Sequence, residues 1–362
     1  MAKAFRVIDT GVRSGRRQIA FDQAIIDLHK AGKVPDTIRF LRFPPTALIG
    51  RHQALSHEIK LDYCRAHDIG VVRRITGGGA IYFDEGQLGW ELVFRRATLG
   101  VNSLADLARE ICEAAAAGLG RLGVNAKYRP RNDIEVDGRK ISGTGGFFDE
   151  DTLFYQGTVL VDMNPADMIA ALNVPQAKLA KRALDSAAQR VVTLKELLGT
   201  APDIATIQDA LLAGFAERLG IEPVRGAITA EEEALAAKYH DEEIGTDTFV
   251  AEIDDPESEA GTFSGTHTGA GGAVTAHVRF EGPRQDRIRE VLITGDFFVT
   301  PPRIVFDLEA TLRNLPVADV GTTIDRFFAG AKVGLLTVTP ADFRAAVEAA
   351  IATSAERPVS LA

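Results

Sequence analysis

Residues 72–92 read VRRITGGGAIYFDEGQLGWEL, and what that stretch demands decides the fold. Three successive glycines, Gly77, Gly78 and Gly79, lose more backbone entropy on ordering than any other residues would. They belong where the chain must pass close to something, and a phosphate or an extended apolar ligand would both qualify. Arg73 and Arg74 place planar cationic donors just before the loop, and Thr76 and Ala80 flank its glycines. Ile81-Tyr82 and Leu88–Trp90 then read as two short strands around a turn at Asp84-Glu85-Gly86. On spacing alone, a glycine-rich hairpin with solvated arginines accounts for the same letters.

Residues 132–161 read NDIEVDGRKISGTGGFFDEDTLFYQGTVLV. Ile134–Val136, a turn at Asp137-Gly138 and the run RKISG form a hairpin pattern whose return strand carries Lys140. Ser142 adds a hydroxyl and Gly143 an open position, while Asn132 and Asp133 put an amide and a carboxylate just ahead of the hairpin.

These stretches resemble the lipoate-protein ligases of the biotin/lipoate ligase superfamily, in their long form with a C-terminal accessory domain. The family pattern RRxSGGGAVxHDxGN is matched by RRITGGGAIYFDEGQ from Arg73, RND by Arg131–Asp133, RK[IV]SG by Arg139–Gly143, and HHGTLL by YQGTVL from Tyr155. The motifs keep the family's order over roughly the first 245 residues, which is more specific than any single glycine-rich loop. Gly50-Arg51-His52-Gln53 matches the family's GRxQN element, with Ala54 in place of Asn. Its chemistry suits a ligand amide and a surface turn equally.

The fold this resemblance implies is α+β: a biotin/lipoate ligase-like catalytic domain over 1–253, with a mixed or antiparallel sheet and surrounding helices. A small α+β accessory domain over 273–362 follows. Between them, residues 254–272 read DDPESEAGTFSGTHTGAGG, an acidic, small-residue stretch without periodicity that predicts a flexible linker.

The implied activity is ATP-dependent lipoate ligation. A carboxylate is a poor acyl donor, so lipoate or octanoate is first joined to AMP and then passed to one lysine of a lipoyl-type acceptor domain. The acceptor is a 2-oxoacid dehydrogenase E2 subunit, a glycine-cleavage H protein or a specialised lipoylated carrier. By resemblance, Lys140 is catalytic, bridging the acyl carbonyl and the α-phosphate. Arg73, Arg74, Thr76, Gly77, Gly78, Gly79, Ala80, Asn132, Asp133, Ser142, Gly143 and Gly157 bind acyl group and nucleotide. Asp133 also holds Mg²⁺. Lys178 and Lys181 fall where the family has a lysine-rich loop that closes on the nucleotide. Three cations within five residues at Lys178, Lys181 and Arg182 also fit a solvated helix face.

Composition narrows the field. The chain has 362 residues, 46% hydrophobic, with a formal charge of −9, which argues against a general nucleic-acid binder. No apolar run approaches the length of a membrane span, and no signal peptide is evident. Cys64 and Cys112 form no CxxC pair, and the histidines form no metal motif. A cytoplasmic monomer is the expectation. Helical periodicity marks Gln18–Lys30, His57–Ala66, Asn102–Leu119, Ile204–Leu219, Glu231–Tyr239, Ile304–Leu312 and Ala341–Ile351. Both cysteines fall in such helices and read as small core side chains.

Departures from the family pattern bear on substrate. Phe83 stands for His before Asp84, Gln87 for Asn, Thr76 for Ser, and Tyr155-Gln156 for two histidines. They leave the acyl group and acceptor open without removing the loop or the lysine. The rivals are an octanoyl or lipoyl transferase, a biotin ligase and a non-catalytic scaffold. The transferase needs a cysteine thiolate beside the lysine, and none lies between Tyr128 and Gly157. The biotin ligase signature GRGRxxRxW is absent.

Overall fold

The computed structural model describes residues 3–100, 103–130, 132–173, 189–269, 271–282 and 284–355. The chain divides into two compact units: Met1–Ile49, Glu58–Ile75 and Ala80–Glu252 form one, and Gly50–His57, Thr76–Gly79 and Ile253–Ala362 the other. Two short segments expected within 1–253 therefore group with C-terminal residues. Arg131, Lys178 and Lys181 lie outside the described residues.

In the first unit the strands are β1 (Lys3–Val12), β2 (Thr37–Arg42), β3 (Thr46–Ile49), β4 (Gly70–Arg73), β5 (Ile81–Phe83), β6 (Gln87–Arg95), β7 (Lys127–Arg129), β8 (Asp133–Val136), β9 (Arg139–Asp149), β10 (Thr152–Leu160) and β11 (Ile221–Arg225). Eight make one sheet ordered β11-β1-β2-β6-β10-β9-β8-β7, and β4-β3-β5 make a second. β1 runs parallel to β2 and β11 while the other pairs of the large sheet are antiparallel, so it is mixed, as the resemblance implies.

The turn after β5 forms, with the Gly86 N–H donating to Asp84 Oδ1 at 2.9 Å. The strands beside it then part: β5 pairs with β3, and β6 with β2 and β10. The glycine-rich hairpin is thus not what forms. β6 is buried on both faces, so it belongs in a sheet centre. On one face Trp90 packs against Phe215 of the helix Ile204–Leu219, the ring planes tilted by 60°. We number helices α1 (Gly15–Lys30), α2 (Leu104–Gly120), α3 (Ile204–Leu219) and α4 (Ala230–Glu242). α2 and α3 approach closely because Gly118 and Gly214 carry no side chain: a Cβ on Gly214 would meet the Ala114 carbonyl at 2.4 Å. Trp90 likewise requires Gly157 opposite it on β10, since a Cβ there would lie 2.1 Å from the indole.

The other face receives α1, whose Ile19, Phe21, Ile25 and Leu28 pack with Leu41, Val93 and Phe154. Within this core lies a charge cluster. Arg39 on β2 donates to Asp22 on α1 at 2.6 Å, to Glu91 on β6 at 2.9 Å and to Gln18 Oε1 at 2.7 Å. Burial raises both carboxyls against the pull of Arg39, Glu91 more strongly. One cation between two buried carboxyls favours a retained proton on the pair.

In the second unit β12 (Phe263–Gly269), β13 (Gly272–Glu281) and β14 (Arg287–Gly295) form an antiparallel sheet. α5 (Ile304–Leu312), α6 (Val320–Gly330) and α7 (Pro340–Ala355) share its core through Leu308, Ile324, Phe343 and Val347. The expectation of a flexible linker is corrected over β12. The small residues read as flexibility serve packing: a Cβ on Gly265 would meet the Ala350 nitrogen of α7 at 2.0 Å. α6 was not expected because VGTTIDRFFAG is rich in weak helix formers. Burial of Val320, Ile324 and Phe328 at i, i+4, i+8 overrides that propensity.

On the other side of β13, His277 is 4% exposed and sits between the Ser264 hydroxyl at 2.8 Å and the Thr294 hydroxyl at 3.0 Å. Burial lowers its pKa to about 4, with His57 adding to the fall while Glu257 and Asp255 oppose it. A folded-state pKa below the unfolded value means that the folded form binds fewer protons. The stabilisation is therefore full above pH ~6.5 and is lost as the pH falls toward 4, by roughly 3 kcal/mol. Urea unfolding followed across pH 7 to 4 should show this loss in the parent protein. A His277→Gln variant should have a shallower slope, and parallel slopes would refute the assignment.

Candidate active site

The hairpin β8–β9 turns at Asp137 and Gly138, both at positive φ (50° and 80°), the geometry that an Asp-Gly turn provides. Its register sets Asp133 opposite Gly143 and, after a bulge between Ile134 and Glu135, Glu135 opposite Lys140. The Lys140 ammonium reaches forward along β9, past Gly143, to Asp133 Oδ1 at 2.8 Å. It can do so because Gly143 is bare: a Cβ there would lie 2.7 Å from Lys140 Nζ. The Gly143 N–H donates to Thr158 Oγ1 at 3.2 Å.

Arg129 on β7 also pairs with Asp133. Burial pushes the Asp133 carboxyl up, but Lys140 and Arg129 outweigh it and hold its pKa below the usual carboxylate range. The result is a fixed carboxylate beside a lysine whose side chain is 37% exposed. Such a pair can present a cation to an anionic oxygen while an adjacent carboxylate accepts a metal or a proton donor. Sequence reasoning passed over Arg129. The signal was Pro130, which folds KYR back so that Arg129 faces Asp133 in the β7–β8 register.

Asn132, expected to contact the nucleotide, is tied to Thr144. Its Nδ2 donates to the Thr144 carbonyl at 2.8 Å, and its own carbonyl receives both the Thr144 N–H (2.8 Å) and hydroxyl (2.9 Å). Ser142 is buried, and its hydroxyl has no hydrogen-bond partner among the described residues. Of the Tyr155-Gln156 pair, Tyr155 faces α2, its hydroxyl 3.5 Å from Cys112 Sγ, so strand alternation turns Gln156 to the opposite face. That is also the face of Gly143 and the Lys140 amine, because Thr144 faces Cys112. Phe83 packs on Phe43 in the core.

Arg73 and Arg74, expected at the mouth of the site, are buried. Arg73 donates to the Val250 carbonyl at 2.8 Å and to the Phe249 carbonyl at 3.2 Å, and Arg74 to the Leu48 carbonyl at 3.2 Å. Burial lowers the Arg74 pKa to about 10. Ala80 falls in the same unit, half-buried. Thr76–Gly79 fall in the second unit, where the Gly78 N–H donates to the Phe297 carbonyl at 3.0 Å. A Cβ on Gly77 would meet that carbonyl oxygen at 2.0 Å, and one on Gly78 the Phe298 ring at 2.5 Å. A Cβ on Gly50 would meet the Gly78 carbonyl at 1.9 Å, which explains the glycine of the GRHQ element. His52 stacks on Phe297.

Among the described residues no group of three or more His, Cys, Asp or Glu side chains could hold a metal ion. That excludes an all-protein cage there, while Asp133 suits a hard cation that keeps water and phosphate as its other ligands. No helix among those residues is long and apolar enough to cross a membrane.

The sequence family described as lipoyl protein ligase A/B catalytic domain matches residues 14–216. An octanoyltransferase LipM from Symbiobacterium thermophilum is 31% identical over 272 residues, covering 69% of this chain and 98% of that protein. The solved bipartite lipoate protein ligase of Thermoplasma acidophilum, described with its E2 lipoyl domain, covers 71% of this chain and 100% of its own at 26% identity and a TM-score of 0.63. A lipoate-protein ligase A bound with ATP is similar at 26% identity and a TM-score of 0.61, covering 70% of this chain and 100% of its own.

Proposed function

This chain belongs to the lipoyl protein ligase A/B family of lipoyl ligases and transferases, and from that premise we propose that it is an ATP-dependent lipoate-protein ligase. Lipoate, or octanoate less well, is activated as the acyl adenylate and passed to one lysine of a lipoyl-type domain. The observation that carries this reading is Lys140, its amine laid over bare Gly143 and held by Asp133 at 2.8 Å. There it can bridge the acyl carboxylate and the α-phosphate as negative charge builds. Asp133, whose two oxygens pair with Lys140 and Arg129, would hold Mg²⁺ through its remaining lone pairs, and the cation would screen the phosphates. The acceptor amine attacks the mixed anhydride directly, so no covalent enzyme intermediate is needed.

The cysteines favour this reading over a thiolate relay. Cys112 is buried on the face away from the Lys140 amine, and burial raises its pKa to about 11. Cys64 is also buried and raised. Likeness to the LipM octanoyltransferase keeps a second reading in play, in which Lys140 serves an acyl-carrier thioester without a cysteine relay. In both, the motifs assign catalysis to 1–253 and an accessory role to 273–362.

Mass spectrometry of a lipoyl domain incubated with the protein, Mg²⁺-ATP and lipoate tests the proposal. A lipoyl increment on one lysine that depends on ATP supports it. An octanoyl increment from acyl-carrier thioester alone would replace it with the second reading. Asp133→Asn should weaken activation on the order of tenfold or more, and transfer from pre-made acyl adenylate less. Equal damage to both steps would count against a metal-centred role.

A further inference from the structure

β8 is four residues long, and Asp133 is its first. A strand end frays, and the bulge one residue further on weakens the ladder beyond it. Asp133 pairs in register with Arg129 of β7 and Gly143 of β9, so its backbone is held on both sides but at the end of the β8 ladder. A further restraint comes from behind, through the neighbouring Asn132. Thr144 makes the reciprocal bonds with Asn132, spending its single hydroxyl proton on the Asn132 carbonyl. The Tyr155 hydroxyl, 2.6 Å from Thr144 Oγ1, must then be the donor in that contact. Cys112 Sγ lies 3.3 Å from Thr144 Oγ1 and 3.5 Å from the Tyr155 hydroxyl, closing a buried cluster against α2. Tyr155 is fully buried and Thr144 5% exposed, so water cannot replace either hydroxyl. Burial, with Cys112 beside it, keeps the phenol protonated and able to donate.

We propose that Tyr155, acting through Thr144, is a positioning residue that fixes Asn132 and thereby sets Asp133 against Lys140. This gives the tyrosine, which stands where the resembling family has histidine, a mechanical task on the side of the sheet away from the Lys140 amine. The inference rests on Lys140 being the acting group. That holds for either acyl donor, so the two proposals fail separately. A parent protein silent in ATP–pyrophosphate exchange sinks the ATP reading alone, and the strut is then read on acyl transfer from the carrier thioester.

The test uses the full chain with Tyr155→Phe, Thr144→Val and Thr144→Ser. The first two remove a hydroxyl at nearly constant shape, and the third restores it. Steady-state kinetics of whichever reaction the parent performs is paired with amide hydrogen exchange at Asn132 and Asp133. Tyr155→Phe and Thr144→Val should each lose about tenfold in kcat/KM, the equivalent of one well-placed hydrogen bond, and exchange those amides faster. Thr144→Ser should stay near the parent in both. A merely structural role would lower Tm without moving kcat/KM. Parent-like kinetics in either hydroxyl-deleted variant overturns the proposal. So does kinetic loss without faster exchange, or a serine variant as impaired as the valine.

Discussion

Lys140→Ala is expected to give a folded protein whose acyl activation has fallen by on the order of a hundredfold or more, as loss of roughly 3 kcal/mol of charge stabilisation implies. The fold should survive because the side chain holds little of it. The Lys140 ammonium is partly exposed, and Asp133 retains Arg129 when it is removed. The backbone contacts also persist: the Lys140 carbonyl still receives the Val192 N–H at 2.9 Å. What disappears is the point charge over Gly143. Pyrophosphate exchange into ATP, with circular dichroism as a check on folding, measures the effect. Exchange within a few-fold of the parent would remove Lys140 from the mechanism.

Arg39→Met carries the largest expected effect on stability, about 3–5 kcal/mol. The loss does not come from the attraction alone. Removing the cation leaves Asp22 and Glu91 buried against each other without their ion partner. Unfolding in denaturant should therefore show a much lower midpoint. Neutralising the stranded groups, by Asp22→Asn with Glu91→Gln in the Arg39→Met background, should recover a good part of the loss. A single variant destabilised by less than about 1 kcal/mol would mean that the cluster relaxes or hydrates.

The parts of this protein that were legible in its sequence are those fixed by near neighbours. Asp137-Gly138 announces the β8–β9 turn, and the turn brings Asp133 and Lys140 together within a few residues of chain. Apolar spacing announces α1 and α3 in the same way. What the sequence did not show involves partners far along the chain. Nothing near Arg73 indicates that carbonyls of Phe249 and Val250 will receive its guanidinium. Nor does anything near Gly77 and Gly78 indicate that the Phe297 carbonyl and the Phe298 ring lie where side chains would go. Gly157 matched a binding motif, yet the Trp90 ring is reason enough for a glycine there. In each case a structural partner of the residue lies far along the chain, beyond the reach of local pattern.

The parallel pairing of β1 with β11 joins Lys3 to Ile221. During synthesis about 200 residues separate the two strands, an interval of roughly 10–40 s at ordinary elongation rates. For that time one edge of β1 has no partner, although β2 is already available on its other side. An open edge of this kind invites pairing with another nascent chain. β11 ends that exposure, and the Arg6–Glu232 ion pair at 2.5 Å then ties the following helix α4 to β1. A fragment cut at residue 216, where the family match stops, would carry the Lys140 hairpin but keep that edge exposed permanently. Its failure to stay soluble would reflect an unfinished sheet and say nothing about its chemistry.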